Sequence, residues 1–291
     1  MEIIRCKKFT IVFDRPRIAG ILNITPDSFS DGGRFLAPAD AIAHAREMVA
    51  EGTDMIDLGG ESSRPGSQRI SVEEELRRIL PVLDVLVKEL SIPISLDTMK
   101  PEVADECLAR GAHIINDVSG LRDPAMRAVV ARHRAPAVIM HMQGAPETMQ
   151  ANPQYENVVE EIIMYLEQQA TLAREAGIEQ IIIDPGIGFG KTAEHNLAIL
   201  RHLGEFRRLG YPVMIGVSRK SFLQKITGDG FFCHSRVKAC PRESGGGNPV
   251  SEATLAAEAI AGYNGADIIR THDVAGARRT IAIAEAIRNA R

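Results

Sequence analysis

The chain has 291 residues, 45% hydrophobic and 25% charged, enough apolar surface for one large buried core, which excludes a disordered or fibrous protein. Its formal net charge is -4 and its basic residues are scattered, so the composition carries no nucleic-acid or membrane-surface footprint and any anion site must be local. The N-terminal residues lack the continuous apolar stretch and small-residue cleavage site of an export signal, and no apolar run reaches membrane-spanning length, so a cytoplasmic protein is expected.

In chain order, residues 1–16 hold two short β-like runs, IIRCKK and TIVFD, which predict a hairpin closing the N-terminal end of a barrel. Eight short β-branched runs come next: RIAGILN (17–23), DMIDLG (54–59), PISLD (93–97), HIIND (113–117), PAVIMH (136–141), QIIID (180–184), PVMIGVS (212–218) and ADIIR (266–270). Each is nearly all apolar, the pattern of a parallel strand covered on both faces. Between them lie helical patterns such as PADAIAHAREMVAEG, SVEEELRRILPVLDVLVKEL, KPEVADECLARG and NVVEEIIMYLEQQATLAREAG, several closing on the Gly expected just past a helix C-terminus. An open doubly wound sheet also alternates, but eight βα units without a linker or composition break predict a single (β/α)8 TIM barrel, residues 1–291 as one domain.

One stretch breaks the rhythm. Residues 228–250 carry Gly, Pro and a basic cluster with no apolar period, and read as an inserted surface loop between the seventh strand and its main helix. The loop holds Cys233, His234 and Cys240, whose spacing is not that of a zinc site. Cys233 and Cys240 with Cys6 and Cys107 are the chain's four cysteines, and the absence of CxxC spacing argues against a disulfide framework.

Barrel enzymes build their chemistry where the strands end, and here the ends are polar: Asn23, Asp57, Asp97, Asn116 with Asp117, His141, Asp184, then Ser218, Arg219 and Lys220, and finally Arg270 with His272. A lone Asp or Asn at such a point is ordinarily a helix cap or turn residue. Eight polar ends on one rim call for a polar ligand, because desolvating so many unpartnered groups is costly. Asp97, Asn116 and Asp184 offer acceptors to a ring with several N–H donors, such as an aminopyrimidinone edge. Lys220, Arg270 and His272 gather where barrels often hold phosphate, and a planar Arg either forks onto an anion or stacks over a ring.

DPGIGFGKT (184–192) imitates a phosphate loop but has Pro185 where GxxxxGK[ST] needs Gly, and Lys191 where GxGxxG needs Gly. GVSRK (216–220) misses GxSxG at its last position, so Ser218 is not a hydrolase nucleophile. Two long glycine-marked loops, ITPDSFSDGGRF (24–35) and GGESSRPGSQR (59–69), are lid candidates: Arg64 is placed for an anion, while Phe29 and Phe35 are suited to covering an aromatic substrate.

Taken together, NITPDSFSDGG, DLGGESSRPG, SLDTMKPEVA, INDVSG, DPGIGFGK, GVSRKSFL and IIRTHDV resemble bacterial dihydropteroate synthase, in order and over nearly the whole chain. The resemblance implies a TIM-barrel transferase that joins 6-hydroxymethyl-7,8-dihydropterin pyrophosphate to p-aminobenzoate, giving 7,8-dihydropteroate and pyrophosphate in folate biosynthesis. It also implies Mg2+, a homodimer, small-molecule substrates without nucleic acid or membrane, and competition by sulfonamides at the p-aminobenzoate position. Carried over residue by residue, it assigns Asp97, Asn116, Asp184, Lys220 and Arg270 to the pterin, with Arg270 stacking on its face. Phe29, Ser63, Arg64, Pro65, Phe189 and Ser221 go to p-aminobenzoate, and Asn23, Arg64, Arg270 and His272 to pyrophosphate, with Asn23 also at the metal. Lys220, Arg270, His272 and Asp97 are the catalytic set, while Asp57 and Glu61 orient these groups or the metal. Three departures are visible: ESSRPG has Ser63 where the family usually has Thr, Met99 stands where an aromatic is common, a difference expected to stay at the surface, and the insertion at 228–250 is longer than expected for the family.

The chemistry so implied is charge separation, since a methylene beside an electron-rich dihydropterin loses pyrophosphate to leave a delocalised cation, and electrostatics should dominate its catalysis. A corrinoid-type pterin methyltransferase shares the barrel and acidic pocket but does not need the basic cluster of Lys220, Arg270 and His272. A barrel that binds pterin without catalysis should have lost those residues or the lids.

Overall fold

The computed structural model describes residues 3–25, 37–62, 68–144, 148–227 and 249–290. Its first elements, β1 (Ile3–Cys6) and β2 (Phe9–Val12), pair antiparallel as the expected hairpin. Eight parallel strands come after it: β3 (Arg17–Asn23), β4 (Met55–Gly59), β5 (Ile94–Asp97), β6 (Ile114–Asp117), β7 (Ala137–Met140), β8 (Ile181–Asp184), β9 (Met214–Ile215) and β10 (Ile268–Thr271). Their order is β8-β7-β6-β5-β4-β3-β10-β9, and a parallel bridge between Ile183 and Val213 joins the two ends into a ring.

The strands read as continuously apolar because the ring is covered on both sides. Outward residues such as Leu22, Ile56, Leu58, Ile94, Leu96, Ile139 and Ile215 pack with Met48, Leu83, Val103, Leu166 and Ile199 of the helices in one large core. Fully burying each such side chain stabilises the fold by about 1.5–3 kcal/mol. Inward residues near the strand starts (Ala19, Met55, Ile114, Val138, Ile182, Met214 and Ile268) form a separate cluster with Ile4, Cys6 and Ile11 of the hairpin. The hairpin therefore stoppers the N-terminal end, and the interior is accessible from the C-terminal end.

Helices α1 (Pro38–Ala50), α2 (Val72–Glu89), α3 (Pro101–Arg110), α4 (Pro124–His133), α5 (Val158–Glu175), α6 (Ala193–Arg201), α7 (Ser221–Thr227), α8 (Pro249–Tyr263) and α9 (Val274–Asn289) clad the ring. Their starts are locally encoded. Ser71 caps α2 by accepting from Glu74 N, Asn157 caps α5, Thr192 and His195 form a capping box on α6, and Pro101 and Pro124 stand at first helical positions. A 3-10 turn, Leu203–Leu209, links α6 to β9. The insertion expected at 228–250 falls between α7 and α8, and its last two residues instead open α8, where Pro249 is favoured because the first helical N–H has no partner. Residues 228–248, with Cys233, His234 and Cys240, lie outside the described residues, as do Phe29, Phe35, Ser63, Arg64 and Pro65 of the two lids. Among the described residues no helix is long and apolar enough to cross a membrane.

Candidate active site

A cavity of about 900 Å3 opens at the C-terminal end of the barrel, and Asn23, Asp97, Asn116, Asp184, Phe189, Lys220, Ser221, Arg270 and His272 all line it. They arrive from separate elements. Asn23 ends β3, Asp97 ends β5, Asp184 ends β8, Asn116 and Arg270 lie within β6 and β10, Lys220 and Ser221 meet the start of α7, and His272 comes just after β10. Parallel strands all finish at the same end of the ring, so residues far apart in sequence converge there.

Arg270 organises the acidic half of the cavity. Its Nε donates to Asp57 Oδ2 at 2.6 Å and its Nη2 to Asp97 Oδ2 at 2.7 Å. Asp57, only 2% exposed, also accepts from Asn116 Nδ2 at 3.0 Å. That bond fixes the Asn116 amide, leaving its buried carbonyl oxygen with no hydrogen-bond partner among the described residues, so the oxygen is available as an acceptor. Burial pushes the Asp97 carboxyl up to about 7, against the pull of Arg270. Burial likewise pushes Asp184 up to about 6, partly offset by the Gly186 N–H that it accepts at 2.6 Å and by nearby Lys220. Both carboxyls are therefore poised to respond to a donor-rich ligand.

The basic half is built on β9, α7 and β10. Ser218 Oγ lies 3.0 Å from His272 Nδ1 and accepts from His272 N at 3.2 Å, so this serine holds the histidine in place. Lys220 Nζ sits 4.2 Å from the centre of the Phe189 ring, a cation–π contact. Gly188 is required beside it: its φ is +79°, and an added Cβ would come within 3.1 Å of Lys220 Cδ. Glu61, on the cavity wall, is paired with Lys100, which also holds the buried Glu75 at 2.5 Å.

Three sequence expectations need correction. Asp117 faces away from the cavity and accepts from Ser119 N and Leu121 N, ordering the turn after β6; neighbouring strand residues point to opposite faces, so Asn116 and Asp117 cannot both enter the site. His141 is buried against Tyr155 and Tyr165 with Lys191 at its ring nitrogen and does not line the cavity. Met99 is not a surface difference: it packs on Val118, Met140, Met142, Met149 and Phe189, an apolar patch beside the polar groups. Sequence reading missed this patch, whose methionines carry no motif; it placed Ser218 on the rim only as one of the polar strand ends and gave Lys191 no role after rejecting the motif around it.

Residues 19–272 match the pterin binding enzyme family. The dihydropteroate synthase of Synechocystis sp. is 45% identical over 276 residues, which cover 94% of this chain and 90% of that one. The chain belongs to the dihydropteroate synthases. Among solved structures of the family, that of the Yersinia pestis dihydropteroate synthase with a sulfonamide drug superposes with a TM-score of 0.88 at 36% identity, covering 99% of this chain and 100% of that one. The Xanthomonas albilineans dihydropteroate synthase in complex with 7,8-dihydropteroate superposes with a TM-score of 0.83 at 37% identity, with both chains covered in full (100%). The family drawn from the seven motifs, the (β/α)8 barrel with its N-terminal hairpin, and the transferase class of the dihydropteroate synthases are thereby borne out.

Proposed function

We infer that this chain condenses 6-hydroxymethyl-7,8-dihydropterin pyrophosphate with p-aminobenzoate to give 7,8-dihydropteroate and pyrophosphate, using residues 1–291 as one catalytic domain. Beyond family membership, the observation that carries the residue assignment is that one cavity brings acceptors (Asp97, Asn116, Asp184) together with cations (Lys220, Arg270) and His272, Arg270 being paired to Asp97. The acceptors suit the N–H donors of the pterin edge, and the cations suit its ring face and the leaving anion.

In this reading the bond between the pterin methylene carbon and the diphosphate oxygen breaks, and its electron pair leaves with the diphosphate. Asp97 and Asp184 favour the positive pterin, while Arg270, Lys220 and His272 stabilise the departing anion. The arylamine of p-aminobenzoate, neutral at neutral pH, supplies the lone pair for the new C–N bond, and its proton passes to solvent. Phe189 and Ser221, with Phe29, Ser63, Arg64 and Pro65 of the lids, form the p-aminobenzoate pocket. Sulfonamides compete there.

Mg2+ fits this arrangement. Among the described residues no three His, Cys, Asp or Glu side chains gather to hold a metal. Mg2+ is commonly held by substrate phosphates, water and one or two protein oxygens. Asn23 offers such an oxygen, beside a gap kept by Gly59, where a Cβ would lie 3.3 Å from Asn23 Oδ1. When bound, Mg2+ supplies positive charge to the diphosphate oxygens. Asn23, Arg64, Arg270 and His272 are the proposed diphosphate contacts.

The chain is proposed to work in the cytoplasm as a homodimer. α8 exposes Ile260 and Tyr263, at 52% and 50%, and the adjoining α9 exposes Ile283 and Ile287, at 63% and 61%, an apolar face suited to a second copy. Sedimentation of the wild type and of Ile283→Glu tests this: a monomer in both rejects the face.

The deciding experiment for the activity is p-aminobenzoate-dependent pyrophosphate release, with Mg2+ present and then chelated. Release that needs both is expected. Release without p-aminobenzoate, or none with both substrates and Mg2+ present, rejects the reading.

A further inference from the structure

The turn between β8 and α6 is held almost entirely by side chains. Gly186 N donates to Asp184 Oδ1 at 2.6 Å, Gly188 N to Asn196 Oδ1 at 2.8 Å, Gln150 Nε2 to Gly188 O at 2.6 Å, and Tyr155 Oη to Gly190 O at 2.8 Å. Gly186 is indispensable to this path, because with φ at +71° an added Cβ would meet His141 O at 1.9 Å. The turn therefore lies directly against the end of β7. One further group joins the two: Lys191 Nζ donates to Phe189 O at 2.9 Å and to His141 O at 3.4 Å, and lies 3.0 Å from His141 Nδ1.

Lys191 is only 3% exposed, and it is met by two carbonyl oxygens and a ring nitrogen rather than by a carboxylate. Burial drives its ammonium well below the usual lysine range, with Asp184 pulling the other way. Burial also pushes His141 far below an ordinary histidine, so its ring is neutral and has a nitrogen for Lys191. A buried lysine costs stability unless its donors are met, and here three acceptors from two segments meet them. A turn could be held at lower cost by neutral groups, as Asn196 and Tyr155 already do. What the lysine adds is a rigid tie at Phe189, the residue whose ring carries the Lys220 ammonium.

We propose that Lys191, braced by His141, is a positioning residue that sets Phe189 and so fixes the p-aminobenzoate pocket of this enzyme. The inference rests on the assignment of Phe189 to that pocket. It gives a role to the lysine of GFGK, which belongs to no nucleotide motif.

The test is steady-state kinetics and pterin affinity for Lys191→Met, Lys191→Gln, His141→Asn and, separately, Phe189→Ala, with folding checked by thermal melting. For Lys191→Met the expected result is a rise of about tenfold in KM for p-aminobenzoate, as misplacing a contact by a fraction of an ångström produces. Affinity for the pterin, measured calorimetrically, changes by less than the KM for p-aminobenzoate, since Asp97 and Asn116 are untouched and only Lys220 among the pterin contacts rests on Phe189. Lys191→Gln and His141→Asn, which keep a polar partner in place, recover part of the loss. If Lys191→Met does not fold, these two still decide the matter: neither raising KM for p-aminobenzoate overturns the proposal. So does a folded Lys191→Met with unchanged KM, or one that loses pterin affinity as much. If Phe189→Ala itself leaves that KM unchanged, the pocket assignment fails first; if Phe189→Ala raises it and Lys191→Met does not, the positioning role alone fails.

Discussion

Arg270 Nη2 donates to Asp97 Oδ2 at 2.7 Å, joining the last strand of the barrel to the third across the mouth of the site. Asp57 holds Arg270 Nε at 2.6 Å, so two carboxylates fix the guanidinium at the mouth of the site, and Asp97 as a carboxylate has acceptor sites beyond the one that Arg270 uses. Arg270→Ala should lower kcat/KM for the pterin substrate by about a hundredfold to a thousandfold, as the loss of one preorganised charged contact does. Arg270→Lys should recover little, because an ammonium cannot reproduce a two-pronged fork. Wild-type turnover in Arg270→Ala would remove Arg270 from the mechanism.

Pterin affinity should depend on pH through Asp97 and Asp184. Both are raised by burial, to about 7 and about 6, and both must be ionised to accept two N–H donors. Below these values the carboxyls carry protons, so affinity falls as pH falls; above them it is flat. Calorimetric binding of a pterin lacking phosphate, so that no diphosphate titrates, should weaken by up to about tenfold per pH unit between about pH 7 and pH 6, and by up to about a hundredfold per unit below about pH 6, where both carboxyls take up protons. Constant affinity over that range would mean that ionised carboxylates are not the acceptors.

Ser218→Ala should lower kcat/KM a few-fold without abolishing turnover. The serine contacts His272 at both its ring nitrogen and its backbone N–H, and a hydrogen bond of this kind contributes about 0.5–1.5 kcal/mol net. A loss as large as that of Arg270→Ala would instead place Ser218 among the reacting groups.

Glu258 on α8 is a liability to the fold. It is fully buried, at 0% exposure, and neither carboxyl oxygen has a hydrogen-bond partner among the described residues. Burial pushes it up to about 8. The folded state keeps this proton at pH values where the unfolded chain has released it, so stability declines as pH rises from about 4 toward 8, each unit of difference corresponding to about 1.4 kcal/mol at most. Glu258→Gln removes the titration, and its melting temperature should exceed that of the wild type near pH 8 and converge with it near pH 4. The same gap at both pH values would show that the carboxyl does not titrate in this way.

Much of this was legible in the residues. The eight apolar runs match the eight strands because burial on both faces leaves little choice of residue, and the ends of those runs supplied Asn23, Asp97, Asn116, Asp184, Lys220, Arg270 and His272, which line one cavity. Helix starts are local too: Ser71, Asn157 and Thr192 cap α2, α5 and α6 through bonds that span only three positions.

What stayed hidden depends on direction and distance. The pleat sends Asn116 inward and Asp117 outward, and a string of letters does not say which of two adjacent polar residues faces the cavity until the ring closes. Arg270 finds its partners 213 and 173 residues away, His141 and Lys191 meet across 50, and Met99 joins an apolar patch drawn from several loops. The sequence alone determined that a barrel forms and which residues crowd its rim, because strand periodicity and parallel direction are local properties repeated eight times. Only the tertiary structure decided which of those residues hold one another and which are left facing the cavity. Hydrogen bonds and burial in the mouth are settled between strands that no local pattern connects.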